Sequence, residues 1–261
     1  MAGRIPRPTD LLYKIYEDRL LSSLDRERFP KHVAVILDGH RRYARSEGLA
    51  SYTDSYRAGM LRFEEFLDWN ADLGIEAVTG WLLSRENLDR PDAELDPYFE
   101  VLIELFDRLP ERCEGGDMAI RFIGSLDLLP DTVVAAAKRA EQARPTGTRW
   151  LTIALGYGGR QEIVDATRDL VSSLASEGIP AAEIADHISA ESLARRMYSP
   201  HVPDPDLLIR TSGESRLSGF LLWQSAYSEF VFVDVFWPAF RRVDYLRALR
   251  SFTLRERRFG K

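Results

Sequence analysis

The chain has 261 residues, with 41 acidic side chains against 35 lysines and arginines and a formal net charge of −6. That length can bury a sizeable core and suits one α/β domain, while the acidic balance argues against a general nucleic-acid binder. A single cysteine, Cys113, excludes an internal disulfide and a cysteine-rich metal site.

The first eight residues lack the apolar core of a signal peptide and no run approaches the length of a membrane span, so the expected location is the cytoplasm. A helix is expected over about residues 10–24, with Thr9 as its N-cap and Leu11, Leu12, Ile15, Tyr16 and Leu20 along one side. The run from His32 to Leu37 is short, apolar and branched, the pattern of a buried parallel strand. It ends at Asp38-Gly39, and His40-Arg41-Arg42-Tyr43-Ala44-Arg45 follows. A strand, a tight turn and a basic helix start form an anion-binding geometry, because the first helical N–H groups are unpaired and the dipole favours negative charge. A bare carboxylate would repel a phosphate there, so Asp38 points to a divalent cation between the two. Mg²⁺, usually held by one or two carboxylates plus substrate phosphates, is the natural one. His40 beside it reads as a hydrogen-bonding residue, since no second histidine stands at ligand spacing.

Residues 59–73 read as a helix stopped by Gly74, and residues 75–83 as a strand ending at Ser84. A long amphipathic helix is expected over 92–109, with Pro97 marking its first turn. Ser84, Asn87 and Arg90 precede it, as groups that orient a ligand and pass a proton or, equally, as an N-cap and turn. Strands over 120–123 and 150–155 flank a helix over 131–144, and Cys113 falls near a helix end. Gly158-Gly159-Arg160 is either a phosphate contact or the turn that starts a helix over 159–174. Short helices fill 181–197, strands cover 207–209 and 230–233, and a closing helix covers 242–257.

Strand 207–209 delivers Arg210 at its carboxyl end, and the loop beyond supplies Arg216 and Ser218. Two guanidinium forks and a hydroxyl suit an anion with several oxygens, unless the arginines merely pair with Asp204, Asp206 or Glu214. Glu229, just before the last strand, is a candidate metal ligand near the same anion. Alternation of strand and helix implies a single domain with a central, mostly parallel six-stranded sheet covered by helices on both faces. Its ligand site should lie at the strands' carboxyl ends, where Asp38, Ser84, Gly156 and Arg210 fall.

From about His32 to the C-terminus these segments resemble the cis-prenyltransferases, or Z-isoprenyl diphosphate synthases, the family containing undecaprenyl diphosphate synthase. The resemblance is carried by Asp38 to Arg42, by Ser84-Arg85-Glu86-Asn87-Leu88-Asp89-Arg90-Pro91, by Tyr157 to Arg160, by Arg210 to Ser218 and by Arg258-Phe259-Gly260. It implies an Mg²⁺-dependent transferase that condenses isopentenyl diphosphate with an allylic diphosphate, releases pyrophosphate and makes a cis double bond. In that family Asp38 corresponds to the essential aspartate, Gly39, Arg41 and Arg42 to the cradle of the allylic diphosphate, and Arg210, Arg216 and Ser218 to the isopentenyl diphosphate site. Glu229 corresponds to a second metal carboxylate. Ser84, Asn87 and Arg90 carry the middle motif, in which a hydroxyl and an amide orient the attacking alkene's diphosphate. The tail over about 255–261, with Arg258, corresponds to a segment reaching the partner's site in a homodimer, and membrane contact would be at most peripheral, through an apolar product.

The departures from that family are His40 for asparagine, Tyr43 for tryptophan, Tyr56 for histidine, Leu88 for tryptophan and Ser212 for glycine. Tyr43, Tyr56 and Leu88 stay in the expected substrate-binding set beside His40. A tyrosine is no proton shuttle near neutral pH, so the diphosphate itself is the expected proton acceptor, with Tyr56 donating a hydrogen bond. Leu82, two residues before Ser84, stands where long-chain members tend to have a small residue. Together these changes resemble the actinobacterial short-chain branch with a Z,E-farnesyl-type product. The alternatives are an irregular, lavandulyl-type prenyltransferase and a non-catalytic regulatory homologue.

Overall fold

A computed structural model describes residues 8–115 and 117–255. Six strands, β1 (His32–Ile36), β2 (Ala77–Trp81), β3 (Met118–Ile123), β4 (Arg149–Ala154), β5 (Leu207–Arg210) and β6 (Glu229–Phe232), form one sheet in the order β3-β4-β2-β1-β5-β6. Every pairing is parallel, so the sheet is wholly rather than mostly so. All five residues of β1 are buried, which is why its sequence is a continuous apolar run and not an alternating one.

Successive side chains divide the core between the two faces of the sheet. Val33 and Val35 pack with the larger cluster, which includes Phe63, Phe66, Leu102 and Trp237. Ala34 and Ile36 pack on the other face with Trp81, Tyr157 and Phe220. The larger cluster is supplied by α3 (Tyr52–Leu73), α4 (Asp92–Glu114), α5 (Asp131–Ala143) and α8 (Arg242–Thr253). In α4 the residues Leu95, Tyr98, Phe99, Leu102, Leu105, Phe106 and Leu109 recur at helical spacing and are all buried.

The remaining helices are α1 (Pro8–Ser22), α2 (His40–Ser46), α6 (Gly159–Ser176) and α7 (Ala190–Ala194). The first begins at Pro8, so Thr9 lies inside it and is not its N-cap; proline suits a first turn because its missing N–H would be unpaired there anyway. Helix α3 starts at Tyr52, seven residues before the expected Gly59, and ends as expected at Gly74, whose φ of 77° is left-handed. Helix α4 begins at Asp92 after Pro91, so Pro97 does not mark its first turn, and it continues through Pro110 to Glu114. The extra turn buries Cys113, whose thiol is pushed up to about 12 by that burial. The closing helix ends at Thr253, four residues before the expected stop. Among the described residues no helix is long and apolar enough to cross a membrane.

The chain runs from β1 to β2 on one side of β1 and later returns to place β5 on its other side. Such a reversal opens a crevice at the carboxyl ends of the two strands, the usual ligand position in open α/β sheets. Ile36 is in register with both Trp81 and Arg210, so the residues just beyond these strand ends surround that crevice.

Candidate active site

A cavity of about 810 Å³ occupies this crevice. Its rim carries Arg41, Arg42, Arg45, Arg90, Arg210 and Arg216 against the carboxylates Asp38, Glu86 and Glu214. Its inner wall is apolar and includes Leu37, Trp81, Leu82 and Leu83 with the rings of Tyr56 and Tyr98. A cationic rim over an apolar floor suits an amphiphilic anion rather than a wholly polar one.

Asp38 is at the centre of the rim. Arg210 donates to its Oδ2 at 2.9 Å and Arg42 to its Oδ1 at 3.1 Å. Its backbone N–H donates to the Thr211 hydroxyl at 3.0 Å, which ties the end of β1 to the end of β5. Burial pushes the Asp38 carboxyl up, but the hydrogen bond and charge of Arg210 and the charge of Arg42 outweigh it, leaving the group below its ordinary value. Gly39 turns the chain into α2 at φ 106°, and a Cβ there would stand 2.8 Å from the Phe236 ring. Only glycine meets both demands.

Arg210 also donates to the Ser218 hydroxyl at 2.8 Å and to the Arg216 carbonyl, and its buried Nε has no partner. Arg216 is more exposed and pairs with Glu214, which accepts from Arg42 at 3.0 Å as well. The expected arginine cluster therefore exists, and its carboxylate partners are internal to the site.

His40 packs against Tyr56, and its Nδ1–H donates to the Ser55 carbonyl at 3.3 Å. A Cβ at Gly59 would lie 2.0 Å from the His40 ring, so glycine there makes the space for it. Desolvation lowers the imidazole to about 4, and it is neutral near pH 7 with Nε2 unpartnered. The Tyr56 hydroxyl donates to Glu94 at 3.2 Å, and burial first and then Glu94 raise it to about 12. Glu94 also accepts from Arg90 at 3.0 Å and faces Arg41 at 3.5 Å, so one carboxylate anchors two arginines of the rim and the Tyr56 hydroxyl.

Ser84 and Asn87 line the cavity, and the serine also caps the short turn Arg85–Asp89 by accepting from the Asn87 N–H at 3.2 Å. The N-cap and turn reading of that segment is thus observed, and its residues also face the cavity. The Asn87 side chain accepts from Arg90 at 2.7 Å. Gly158 is the N-cap of α6, and a Cβ at Gly159 would be 2.5 Å from the Gly219 carbonyl, whereas Arg160 is exposed and away from the cavity. This motif supports the fold.

Several expectations are corrected. Glu229 opens β6 in register with Leu207, at the far end of the sheet from Asp38, and pairs with Arg255. Within one chain it cannot share an ion with Asp38, because three residues of strand separate its level from that of Arg210. Tyr43 and Leu88 do not line the cavity, and Leu88 packs against the larger core cluster instead. Arg258 lies outside the described residues. Sequence reading missed Glu94, Tyr98 and Thr211. The first carried one signal, its place four residues after Arg90, and the other two look like ordinary helix and strand-end residues.

Comparison with known proteins gives the same result along nearly the whole chain. A family model described as putative undecaprenyl diphosphate synthase matches residues 36–260. The chain is 48% identical over 252 residues to isoprenyl transferase 1 of Corynebacterium diphtheriae, covering 95% of this chain and 94% of that protein. It is 49% identical over 250 residues to the (2Z,6E)-farnesyl diphosphate synthase of Thermobifida fusca, covering 95% and 97%. Among solved structures, lavandulyl diphosphate synthase from Lavandula x intermedia in complex with dimethylallyl diphosphate superposes with a TM-score of 0.84 at 31% identity, covering 90% of this chain and all of that one. The family match takes in every residue that lines the cavity, from Ile36 to Ser218, and not a local motif alone. The chain therefore belongs to the undecaprenyl diphosphate synthase family and is a prenyltransferase.

Proposed function

We propose that this enzyme joins isopentenyl diphosphate to a short allylic diphosphate and stops at a Z,E-farnesyl-type product. The observation that carries the reading is the cavity's division into an arginine rim and an apolar floor closed by Leu82 and Tyr98. The name of the Thermobifida fusca relative agrees with a product of that length.

In the reaction a bond forms between the terminal alkene carbon of isopentenyl diphosphate and C1 of the allylic unit, while the C1–O bond breaks and pyrophosphate leaves. Arg42, Gly39 and Arg41 receive the allylic diphosphate, and Arg210, Arg216 and Ser218 the isopentenyl diphosphate, with Ser84, Asn87 and Arg90 orienting the pair. Fixed positive charge aimed at the leaving group lowers the barrier, because charge accumulates there in the transition state. The apolar wall keeps water from the electron-deficient allylic carbon. The proton lost from the isopentenyl unit goes to a diphosphate oxygen, since Tyr56 keeps its own proton well above neutral pH.

Among the described residues no three histidine, cysteine, aspartate or glutamate side chains gather into a ready-made cage. One carboxylate beside a diphosphate pocket nonetheless fits Mg²⁺, which Asp38 and diphosphate oxygens would hold and which would neutralise the leaving group. A homodimer completes the proposal. Strand β6 is one edge of the sheet, and Tyr227 just before it and Phe232 at its end are 79% and 42% exposed, an apolar margin that a second copy would cover. The location in this proposal is the cytoplasm, with peripheral membrane contact only through the apolar product.

Incubating the protein with Mg²⁺, isopentenyl diphosphate and each allylic diphosphate in turn, then identifying the alcohols released by phosphatase, tests the reading. A C15 product with a new cis bond supports it. A branched product from two dimethylallyl units, or no product from any primer, sinks it.

A further inference from the structure

Among the described residues four non-glycine residues have positive φ, namely Asp117, Ser212, Ser218 and Leu221. Two of them are serines of the cavity region, and each accepts a hydrogen bond from an arginine bound to Asp38. Ser218 accepts from Arg210 at 2.8 Å and Ser212 from Arg42 at 2.7 Å. Ser218 belongs to the pocket already described, whereas Ser212 does not line the cavity and contacts the lining residue Arg42.

Ser212 sits at φ 76° and is followed by Gly213 at φ 72°. A left-handed backbone costs an L-residue with a Cβ more than it costs glycine, and such strain persists only where neighbours over-determine it. They do so here. The Ser212 N–H donates to the Val235 carbonyl at 2.8 Å and the Gly213 N–H to the Val233 carbonyl at 3.0 Å, clamping the turn to the segment after β6. Glycine would satisfy this turn without strain but would bring no hydroxyl. Arg42 donates both to the Ser212 hydroxyl and, at 3.4 Å, to its backbone carbonyl, while its remaining bonds go to Asp38 and Glu214. Serine is thus the residue that fixes the position of a guanidinium which two carboxylates would otherwise share.

We infer that Ser212 is a positioning residue, held in a strained conformation because its hydroxyl aims the Arg42 guanidinium at an incoming diphosphate. The inference rests on the proposed function for the identity of that diphosphate, and on geometry alone for the contact. A purely structural serine at this position would behave differently, because its replacement by glycine would relax the turn with no effect on ligand binding.

The test is calorimetric titration of the full-length protein with inorganic pyrophosphate and Mg²⁺, beside thermal melting, for wild type, Ser212→Gly and Ser212→Ala. Ser212→Gly is expected to melt at or above the wild-type temperature while its pyrophosphate Kd rises about tenfold, the scale of one lost hydrogen bond to a charged group. KM for the allylic diphosphate should rise with it more than kcat falls. Ser212→Ala should lose the same binding and melt below Ser212→Gly, because alanine keeps the strain. A Ser212→Gly protein whose Kd stays within about twofold of wild type overturns the inference, as does a loss of binding that comes with a lowered melting temperature. Failure of the wild type to bind pyrophosphate overturns it too. A wild type that binds pyrophosphate but forms no prenyl product overturns only the proposed function.

Discussion

Arg210 donates to Asp38 Oδ2 at 2.9 Å from a position only 4% exposed, so the carboxylate proposed for catalysis also neutralises a buried guanidinium. Removing one partner of a buried ion pair strands the other charge. Asp38→Ala is therefore expected to cost about 3 kcal/mol of stability in addition to its turnover. Asp38→Asn keeps an acceptor for one arginine and should melt closer to wild type, with turnover still reduced at least about a hundredfold. Product formation and thermal melts of both variants check this, and normal turnover by either one removes Asp38 from the mechanism.

Leu82 lies in the cavity wall, and the Tyr98 hydroxyl donates to its carbonyl at 2.5 Å. Tyr98 in turn meets Tyr56 edge-on with ring centroids 4.7 Å apart, so leucine and two rings close the floor as one packed unit. Leu82→Ala should open space for further isoprene units and shift the products longer, at about 2–5 kcal/mol of stability if the cavity stays empty. Chromatography of the products decides it. An unchanged distribution from a folded Leu82→Ala protein shows that the stop lies elsewhere.

His32 bridges three segments, with Nδ1 2.6 Å from the Pro203 carbonyl and Nε2 2.8 Å from the Thr79 hydroxyl. Burial holds its imidazole at about 4, below the ordinary 6.5, so the folded protein keeps it neutral. Between those values the unfolded chain binds more protons than the folded one. Its contribution is complete above pH 6.5 and is lost as pH falls towards 4. Stability should therefore drop by roughly 1 kcal/mol between pH 7 and pH 5.5 through His32 alone. Denaturant titrations of wild type and His32→Asn across that interval should show a shallower slope in the variant, the remainder coming from His40. Equal slopes would mean that His32 titrates normally.

Deleting residues 258–261 removes Arg258, the basic residue proposed to reach a second subunit's site. The last described helix ends at Thr253, with Phe252 already buried, so the truncation should leave the melting temperature unchanged. Turnover of isopentenyl diphosphate should fall several-fold, chiefly through KM, as when a single charge-assisted phosphate contact is lost. Identical steady-state constants for the truncated and full-length proteins would assign the tail no part in the site.

Local pattern determined a large part of this protein. The branched run from His32 reads as a strand buried on both faces, Gly74 as a helix stop, and strand–helix alternation as a parallel sheet. Asp38 and Arg210 were legible as a candidate anion site because each falls at the carboxyl end of such a strand. Tertiary structure decided which strand ends meet. The reversal of strand order that sets β5 beside β1 joins residues 172 positions apart, and no periodicity in the chain encodes it. The sheet register carries Glu229 to the far end, and helix and turn packing leaves Tyr43 and Leu88 off the cavity. Helix packing also brings in Glu94 and Tyr98 from the first two turns of an otherwise ordinary amphipathic helix. Strand and helix patterns arise from neighbours within a few residues, whereas sheet order and the direction of a side chain into a cavity depend on the packing of the whole core.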